Sequence, residues 1–142
     1  MSRATLNDEA TIEDVLRTAK TIAVVGCSPN PARPSNSISR YLQSRGYRVV
    51  PVNPGHKEIL GVPCYPDLSS IPPDVAIDVV DVFRRSELVA PVAEEALRLP
   101  GLKLFFMQDG VVDESSASRL RDAGIAVAMD RCIYRDHAGL LG

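Results

Sequence analysis

The sequence predicts an α/β fold built on a doubly wound parallel β-sheet. Strand-like and helical patterns alternate along the chain, and the strand-like segments, such as "TIAVV" and "VAIDVVDVF", are almost continuously apolar. Strands that are covered by helices on both faces have this composition. The 142 residues are expected to form a single domain, residues 1–142, with one sizeable core and a frayed tail at residues 1–7.

The first three predicted elements are a helix, a strand and a second helix. An apolar helical period follows Thr11 and Asp14, a pair that resembles a capping box, and predicts a helix at about 11–19. The segment "TIAVVG" predicts a strand that ends at Gly26. The apolar face of "ISRYLQSR" predicts the next helix, which Gly46 closes at a position where helices favour a left-handed residue.

The rest of the chain repeats this alternation. Strands are predicted at 47–52, 75–83, 102–108 and 125–129, and helices at about 86–98, beginning at Ser86, and at about 114–122. The connection 53–74 is rich in Pro and Gly, and it is expected to hold a short edge strand around "GVPCY" and one helical turn at "DLSSI". A helix at the C-terminus would place His137 about one turn from Cys132.

Composition disfavours several classes of protein. Sixteen Lys and Arg residues against eighteen Asp and Glu residues give a net charge of -2 without a long basic run, which disfavours a nucleic-acid partner. No apolar run approaches the ~20 residues of a membrane span, and the polar, acidic start does not resemble a secretory signal, so a cytoplasmic protein is expected. The three cysteines and two histidines have no metal-ligand spacing, and we predict reduced thiols and no metal site.

The predicted fold also indicates where a ligand would bind. In open α/β sheets, ligands lie outside the carboxyl ends of the strands, where the strand order reverses. The segments that follow the predicted strands are 26–33, 53–57, 82–85, 108–110 and 130–132, and they hold most of the polar and irregular residues. These five segments are the candidate binding loops.

The first of them lies in "GCSPNPARPS", which precedes a helix whose free N–H groups and dipole favour an anion. Gly26 allows close backbone approach, Ser28 and Asn30 offer side-chain donors, and Arg33 can contact a phosphate. The alternative is that the prolines of this segment only make a strand-to-helix connection rigid.

Two departures from the NAD fingerprint suggest which nucleotide would bind. The glycine pattern GxGxxG reads Gly26, Ser28 and Pro31, and no Asp or Glu ends the second strand, where NAD sites place one for the ribose. His56 and Lys57 instead supply positive character there. A nucleotide with an extra ribose phosphate, coenzyme A (CoA) or NADP, fits better than NAD, although both residues would also suit an ordinary solvated loop.

The later loops add apolar and amide groups. Val82 and Phe83 followed by Arg84 would suit an adenine or pantetheine wall beside phosphates, or else Phe83 is core and Arg84 caps the sheet edge. Gln108 could bond an amide-containing ligand such as pantetheine, while the following Asp-Gly pair could be only a turn. No catalytic set can be assembled around Cys132, although a thiol packed near a ligand thiol, or in a mixed disulfide with it, remains an alternative.

With these loops identified, the ordered segments "IAVVGCSPNPARPS", "GYRVVPVNP", "DVVDVFRR", "FMQDGVVDE" and "AGIAVAMDRCIYRDH" resemble the stand-alone CoA-binding proteins. These proteins are Rossmann-like, three-layer domains similar to the CoA-binding domain of the succinyl-CoA synthetase alpha subunit. The resemblance covers about 12–140. It implies that CoA lies across the strand tips with its phosphates at the 26–33 turn.

Matching positions carry the family's binding residues onto this chain. The expected contacts are Gly26, Cys27, Ser28, Pro29, Asn30 and Arg33 in the first loop, Asn53 and Pro54 in the second, Val82, Phe83 and Arg84 in the third, Gln108 and Gly110 in the fourth, and Cys132 in the last. Two positions depart from the family. Cys27 stands where a small or aliphatic residue is common, and Phe105 or Phe106 stands where tryptophan is common.

The resemblance implies binding without ligase activity, because the phosphohistidine chemistry of the synthetases resides in a different domain. The expected function is therefore a non-catalytic CoA or acyl-CoA binding protein, a sensor or a carrier that presents CoA to a partner. Two alternatives are an NADP-dependent oxidoreductase-like domain, with Tyr134 or His137 as proton donor, and an interaction module. The expected partner is a small molecule, and a homodimer or a protein partner is left open.

Overall fold

The main sheet has five parallel strands. The computed structural model describes residues 3–142, and the strand order in this sheet is β2-β1-β5-β6-β7. Its strands are β1 (Thr21–Val25), β2 (Arg48–Val52), β5 (Val79–Val82), β6 (Leu104–Met107) and β7 (Ala126–Ala128); β3 (Glu58–Ile59) and β4 (Val62–Pro63) form a separate antiparallel hairpin. The order reverses between β1 and β5, which pair directly, so the switch point of the sheet lies between their tips.

Five α-helices cover both faces of this sheet. They are α1 (Glu9–Thr18), α2 (Pro34–Ser44), α3 (Val89–Ala96), α4 (Glu114–Asp122) and α5 (Ile133–Leu141). Buried side chains of α1, α2 and α5 pack on one face, and those of α3 and α4 pack on the other. The predicted α/β fold with a doubly wound parallel sheet is confirmed. No helix in the described part of the chain is long and apolar enough to cross a membrane.

The helix boundaries of α1 and α2 differ from the predicted ones at their N-termini. Helix α1 begins at Glu9 and not near 11, because Asp8 is its N-cap and accepts a hydrogen bond from the Thr11 N–H at 3.0 Å. Asp14 is therefore an interior residue and not part of a capping box. Helix α2 begins at Pro34, at the first helical position, where the missing N–H costs nothing.

The N-terminal segment is not a frayed tail over the residues that the structure describes. Leu6 forms a parallel bridge with Val127 of β7, and the Val127 N–H donates to the Thr5 carbonyl at 3.0 Å. Asn7 extends this ladder, since its side chain bonds both the N–H and the carbonyl of Met129. Residues 5–7 therefore lie along the outer edge of β7, and Arg3 and Ala4 bond residues of α4, while residues 1 and 2 fall outside the described part.

Shorter elements connect the strands. The predicted helical turn at "DLSSI" is a 3-10 turn, Leu68–Ser70, and the predicted edge strand is β4, which pairs with β3. The third main strand, predicted at 75–83, covers only Val79–Val82. Ser86 starts a 3-10 turn, Ser86–Leu88, rather than α3 itself.

The buried centre of the sheet includes one acidic side chain. Asp81 on β5 lies between Val24 of β1 and Phe106 of β6 in the strand register, and it is 0% exposed. Neither carboxyl oxygen has a hydrogen-bond partner among the described residues. Burial therefore raises the pKa of Asp81 well above 3.8, which favours the protonated acid in the folded protein.

Candidate functional site

A cavity of about 570 Å³ opens at the carboxyl ends of the strands, at the switch point. Its walls come from the loop after β1 with the start of α2, from the loop after β5, and from the loop after β6. The lining residues are Gly26, Ser28, Arg33, Pro34, Ser35, Phe83, Arg84, Arg85, Gln108, Asp109, Gly110 and Val111. A cavity of this size, with apolar walls and a few convergent polar groups, is typical of small-molecule sites.

Gly26 follows β1 at the switch point, beside the chain that follows β5. Its N–H donates to the Val52 carbonyl at 2.8 Å, and its φ of +84° is a conformation that favours glycine. A Cβ at this position would collide with the Phe83 carbonyl oxygen. The single glycine of this loop is therefore required by the neighbouring strand as well as by the turn.

The loop from Gly26 to Arg33, called the first turn below, is held by its own side chains. The Ser28 N–H donates to Ser35 Oγ at 3.0 Å, the Asn30 N–H donates to Ser28 Oγ at 3.0 Å, and the Ala32 N–H donates to Asn30 Oδ1 at 3.0 Å. Several backbone donors that a phosphate could use are thus already bonded. Side-chain groups must supply much of the contact with an anion here.

Helix α2 directs its N-terminus at the same cavity. Arg33 is the N-cap and makes no side-chain capping bond, and Pro34 at the first helical position has no N–H. The N–H groups of Asn36 and Ser37 both donate to the Arg33 carbonyl, which leaves the Ser35 N–H as the foremost backbone donor of the helix. The helix dipole still favours negative charge at this end.

Positive charge dominates the cavity lining. Arg33, Arg84 and Arg85 supply three guanidinium groups, whereas Asp109 is the one acidic residue of the lining. Asp109 is paired with Arg135 at 2.6 Å, so its charge is offset locally. The Arg84 Nε is buried and has no hydrogen-bond partner within residues 3–142. The lining therefore suits a ligand with more than one negative charge.

Gln108 has a structural contact in addition to its place in the lining. It is 4% exposed, and its Oε1 accepts a hydrogen bond from the Ile133 N–H at 3.0 Å. This bond gives the first backbone N–H of α5 an acceptor and fixes the orientation of the Gln108 side-chain amide. Nε2 is then the group that can donate to a ligand.

Cys27 belongs to the first turn, but its side chain is buried against α2 and is outside the cavity lining. It is 0% exposed, and its Sγ lies 3.7 Å from Ser39 Oγ and 3.9 Å from the Ser35 carbonyl oxygen. Burial raises the pKa of the Cys27 thiol, although the contact with Ser39 opposes this, so the protonated thiol is favoured. Packing against α2 accounts for this residue without any reaction at sulfur.

The structure brings together seven of the residues that the sequence predicts as ligand contacts: Gly26, Ser28, Arg33, Phe83, Arg84, Gln108 and Gly110 line the cavity. The other nine are outside the lining: Cys27, Pro29, Asn30, Asn53, Pro54, His56, Lys57, Val82 and Cys132. Their roles stay predictions.

The predicted contacts outside the lining have different surroundings. The Asn53 Nδ2 donates to the Cys27 carbonyl at 2.8 Å, and His56 and Lys57 are exposed in the turn that follows β2. Cys132 is 6% exposed and is the N-cap of α5. His137, one turn later, has Nδ1 within 2.8 Å of the Tyr41 hydroxyl.

Five lining residues were not among the predicted contacts: Pro34, Ser35, Arg85, Asp109 and Val111. Pro34 and Ser35 are the first two residues of α2, a helix whose predicted start was too far along the chain. A helix starting at Pro34 would have indicated Ser35 as a contact, because the foremost donors of a helix point toward any ligand at its N-terminus.

Known proteins similar to this chain include both short and long ones. "Uncharacterized protein YneT" of Bacillus subtilis (strain 168) is 43% identical over 130 residues, which cover 92% of this chain and 94% of that protein. The solved structure of a "hypothetical protein from Pyrococcus horikoshii OT3" superposes with a TM-score of 0.88 at 36% identity and covers 95% of this chain and 93% of that one. An ADP-forming acetate–CoA ligase I of Archaeoglobus fulgidus is 38% identical over 79 residues, 56% of this chain but only 11% of the ligase.

The family comparison agrees with these relatives. The protein-family model described as "CoA binding domain" matches residues 20–138, which include every strand of the main sheet and the whole cavity lining. The resemblance stated from the sequence segments is confirmed, and the chain belongs to the CoA binding domain family.

Proposed function

We propose that this chain binds CoA or an acyl-CoA in the cavity at the strand tips, with the phosphates toward the first turn and α2, and that it does so without catalysing a reaction. The observation that carries the proposal is the cavity itself, which lies at the switch point and is lined by three arginines beside a helix N-terminus. Membership of the CoA binding domain family supports the choice of ligand.

The remaining walls suit the less polar parts of CoA. Phe83 and Val111 provide apolar surface, and Gln108 provides an amide near the tip of β6. Pantetheine contains two amide groups linked by short apolar segments, so these residues suit the arm as the arginines suit the phosphates. Asp109, the acidic group of the lining, is paired with Arg135, which supports anion binding rather than proton transfer.

Thermal unfolding with CoA, dephospho-CoA, NAD and NADP tests the ligand. We expect CoA to raise the melting temperature most. A ligand present at 100 times its Kd adds about 2.7 kcal/mol to the free energy of unfolding. Absence of stabilisation by CoA would refute the proposal, and a larger effect of NADP would favour the oxidoreductase-like alternative.

The ribose phosphate needs its own variant. His56 and Lys57 are the predicted contacts, although they lie outside the cavity lining. If they hold this phosphate, a His56→Ala/Lys57→Ala double variant should bind CoA and dephospho-CoA with equal affinity. If this variant still binds CoA more tightly than dephospho-CoA, the arginines of the cavity lining would be the groups that hold the ribose phosphate.

Incubation with acetyl-CoA and a thiol reagent tests the non-catalytic part. The proposal expects free CoA to appear at the same rate with and without the protein. Release of CoA in proportion to protein concentration would show a thioester-cleaving activity and contradict it.

A further inference from the structure

The carbonyl groups of the first turn are all potential obstacles to an anion. A main-chain carbonyl oxygen carries partial negative charge, so a carbonyl that points into the cavity would repel a phosphate there. Three carbonyls of this turn, those of Cys27, Ser28 and Pro31, each accept a hydrogen bond from a side chain elsewhere in the protein.

The donors of these bonds lie outside the cavity lining. Asn53 Nδ2 donates to the Cys27 carbonyl at 2.8 Å, Asn36 Nδ2 donates to the Ser28 carbonyl at 2.9 Å, and Arg40 donates to the Pro31 carbonyl at 3.3 Å. Each of these three carbonyls is therefore bonded to a group that does not line the cavity.

Asn36 is the central member of this set. It is 4% exposed, and its Oδ1 accepts a second hydrogen bond from Arg40 Nε at 2.9 Å. An arginine can only donate, so the amide atom facing Arg40 must be the oxygen and the atom facing the Ser28 carbonyl must be the nitrogen. Arg40 thus fixes the orientation of the amide that holds the turn.

We propose that Asn36, Asn53 and Arg40 are positioning residues that hold the carbonyl groups of Ser28, Cys27 and Pro31 away from the cavity, so that the turn accepts the phosphates of the ligand. This inference rests on the proposed function, since it names the groups that make that site attractive to an anion. It gives Asn53 an indirect role, in contrast to the direct ligand contact expected from the sequence.

An Asn36→Ala variant tests this role by comparing two ligands. NMR titration measures the affinity for CoA and for pantetheine, which lacks the phosphates. We expect about tenfold weaker binding of CoA, because the half-buried Ser28 carbonyl loses its donor and is free to turn toward the phosphates, and unchanged binding of pantetheine. General loosening of the site would weaken both ligands alike.

The matched control is Ser37→Ala. Ser37 is the next residue of α2, it is exposed, and its hydroxyl donates only to the Pro34 carbonyl at 3.3 Å. This variant should bind both ligands as the wild type does. An exposed second test site is Arg40, where Arg40→Lys keeps the charge but loses the fork; we expect about threefold weaker CoA binding.

The outcomes separate the two proposals. If the wild type does not bind CoA, the proposed function fails. If the wild type binds CoA but Asn36→Ala and Arg40→Lys bind it equally well, or lose CoA and pantetheine in the same proportion, the positioning role is refuted and the proposed function is retained. If Asn36→Ala does not fold, Arg40→Lys alone decides between these results.

Discussion

Replacing Asp81 by asparagine should change how the stability of this protein depends on pH. Asp81 is 0% exposed, both of its carboxyl oxygens lack partners among the described residues, and burial raises its pKa well above 3.8. In the unfolded chain the same carboxyl titrates near 3.8. Above that pH the wild type must bind a proton to fold, whereas the asparagine variant need not.

The size of this effect follows from proton linkage. A group that is protonated when folded and ionised when unfolded lowers the free energy of unfolding by about 1.4 kcal/mol for each pH unit. This penalty is absent below the unfolded pKa and grows until the pH reaches the folded pKa. Over the part of pH 5 to 7 that lies below the folded pKa of Asp81, the Asp81→Asn variant should therefore gain about 1.4 kcal/mol per pH unit relative to the wild type, against the roughly 5–15 kcal/mol typical of a domain.

Urea unfolding at pH 5, 6 and 7, followed by far-UV circular dichroism, measures this difference; the chain has no tryptophan to serve as a fluorescent reporter. The matched control is Asp78→Asn. Although burial acts to raise it, the N–H groups of Lys20 and Thr21 and the charge of Lys103 hold the pKa of Asp78 below 3.8.

Asp78 is thus ionised in both states from pH 5 to 7, and the stability difference between the wild type and Asp78→Asn should be constant over this range. A constant difference for Asp81→Asn as well would mean that Asp81 is ionised in the folded protein. That result would refute the reasoning from its burial.

Three further predictions concern single positions. Gly26→Ala should lower the unfolding free energy by more than the roughly 1–3 kcal/mol of backbone strain, because its Cβ also meets a main-chain oxygen. Gly110→Ala, at φ +78° in open space, should lower it by the strain only, and equal urea midpoints for the two variants would contradict this. Gln108→Met should lower the unfolding free energy by about 1–3 kcal/mol by leaving the Ile133 N–H without an acceptor, and an unfolding free energy equal to that of the wild type would contradict the assigned bond. Burial and a nearby arginine charge lower the pKa of His137 below 6.5, so the wild type should lose stability relative to His137→Gln as the pH falls below 6.5 through the folded pKa; parallel curves from pH 7.5 to 5 in the same unfolding assay would refute this.

The parts of the fold that depend on apolar periodicity could be predicted from the sequence. The continuous apolar segments identified the strands of the main sheet, and Gly26 marked the switch-point loop. Helix α4 matches its predicted range because its apolar positions and its acidic start are both local signals. Each of these features depends on residues close together in the sequence, which pattern reasoning can use.

The buried polar residues of α2 that hold the first turn could not be predicted in this way. Ser35, Asn36 and Ser39 are buried, at 5%, 4% and 0% exposure, yet polar residues in a helical pattern indicate a solvated face. Their burial is tolerated because each is hydrogen-bonded to the turn or the helix backbone. Those partners depend on the tertiary structure, so the start of α2 and the role of Asn36 became visible only in three dimensions.

The strand-like segment at residues 3–7 could not be predicted for a related reason. Its bonds to β7 are mostly made by the main chain, which leaves no side-chain period. Asn7 is the exception, since its amide completes the ladder at Met129.

This segment also makes the two borders of the sheet unequal. Along β7 the outward hydrogen-bonding groups are used by residues 5–7, while on the other side Tyr65 bonds only the end of β2, at Pro51 and Asn53. A strand added at β2 would therefore meet main-chain groups that no described residue uses along most of that strand, whereas a strand that paired with β7 itself would first have to displace residues 5–7.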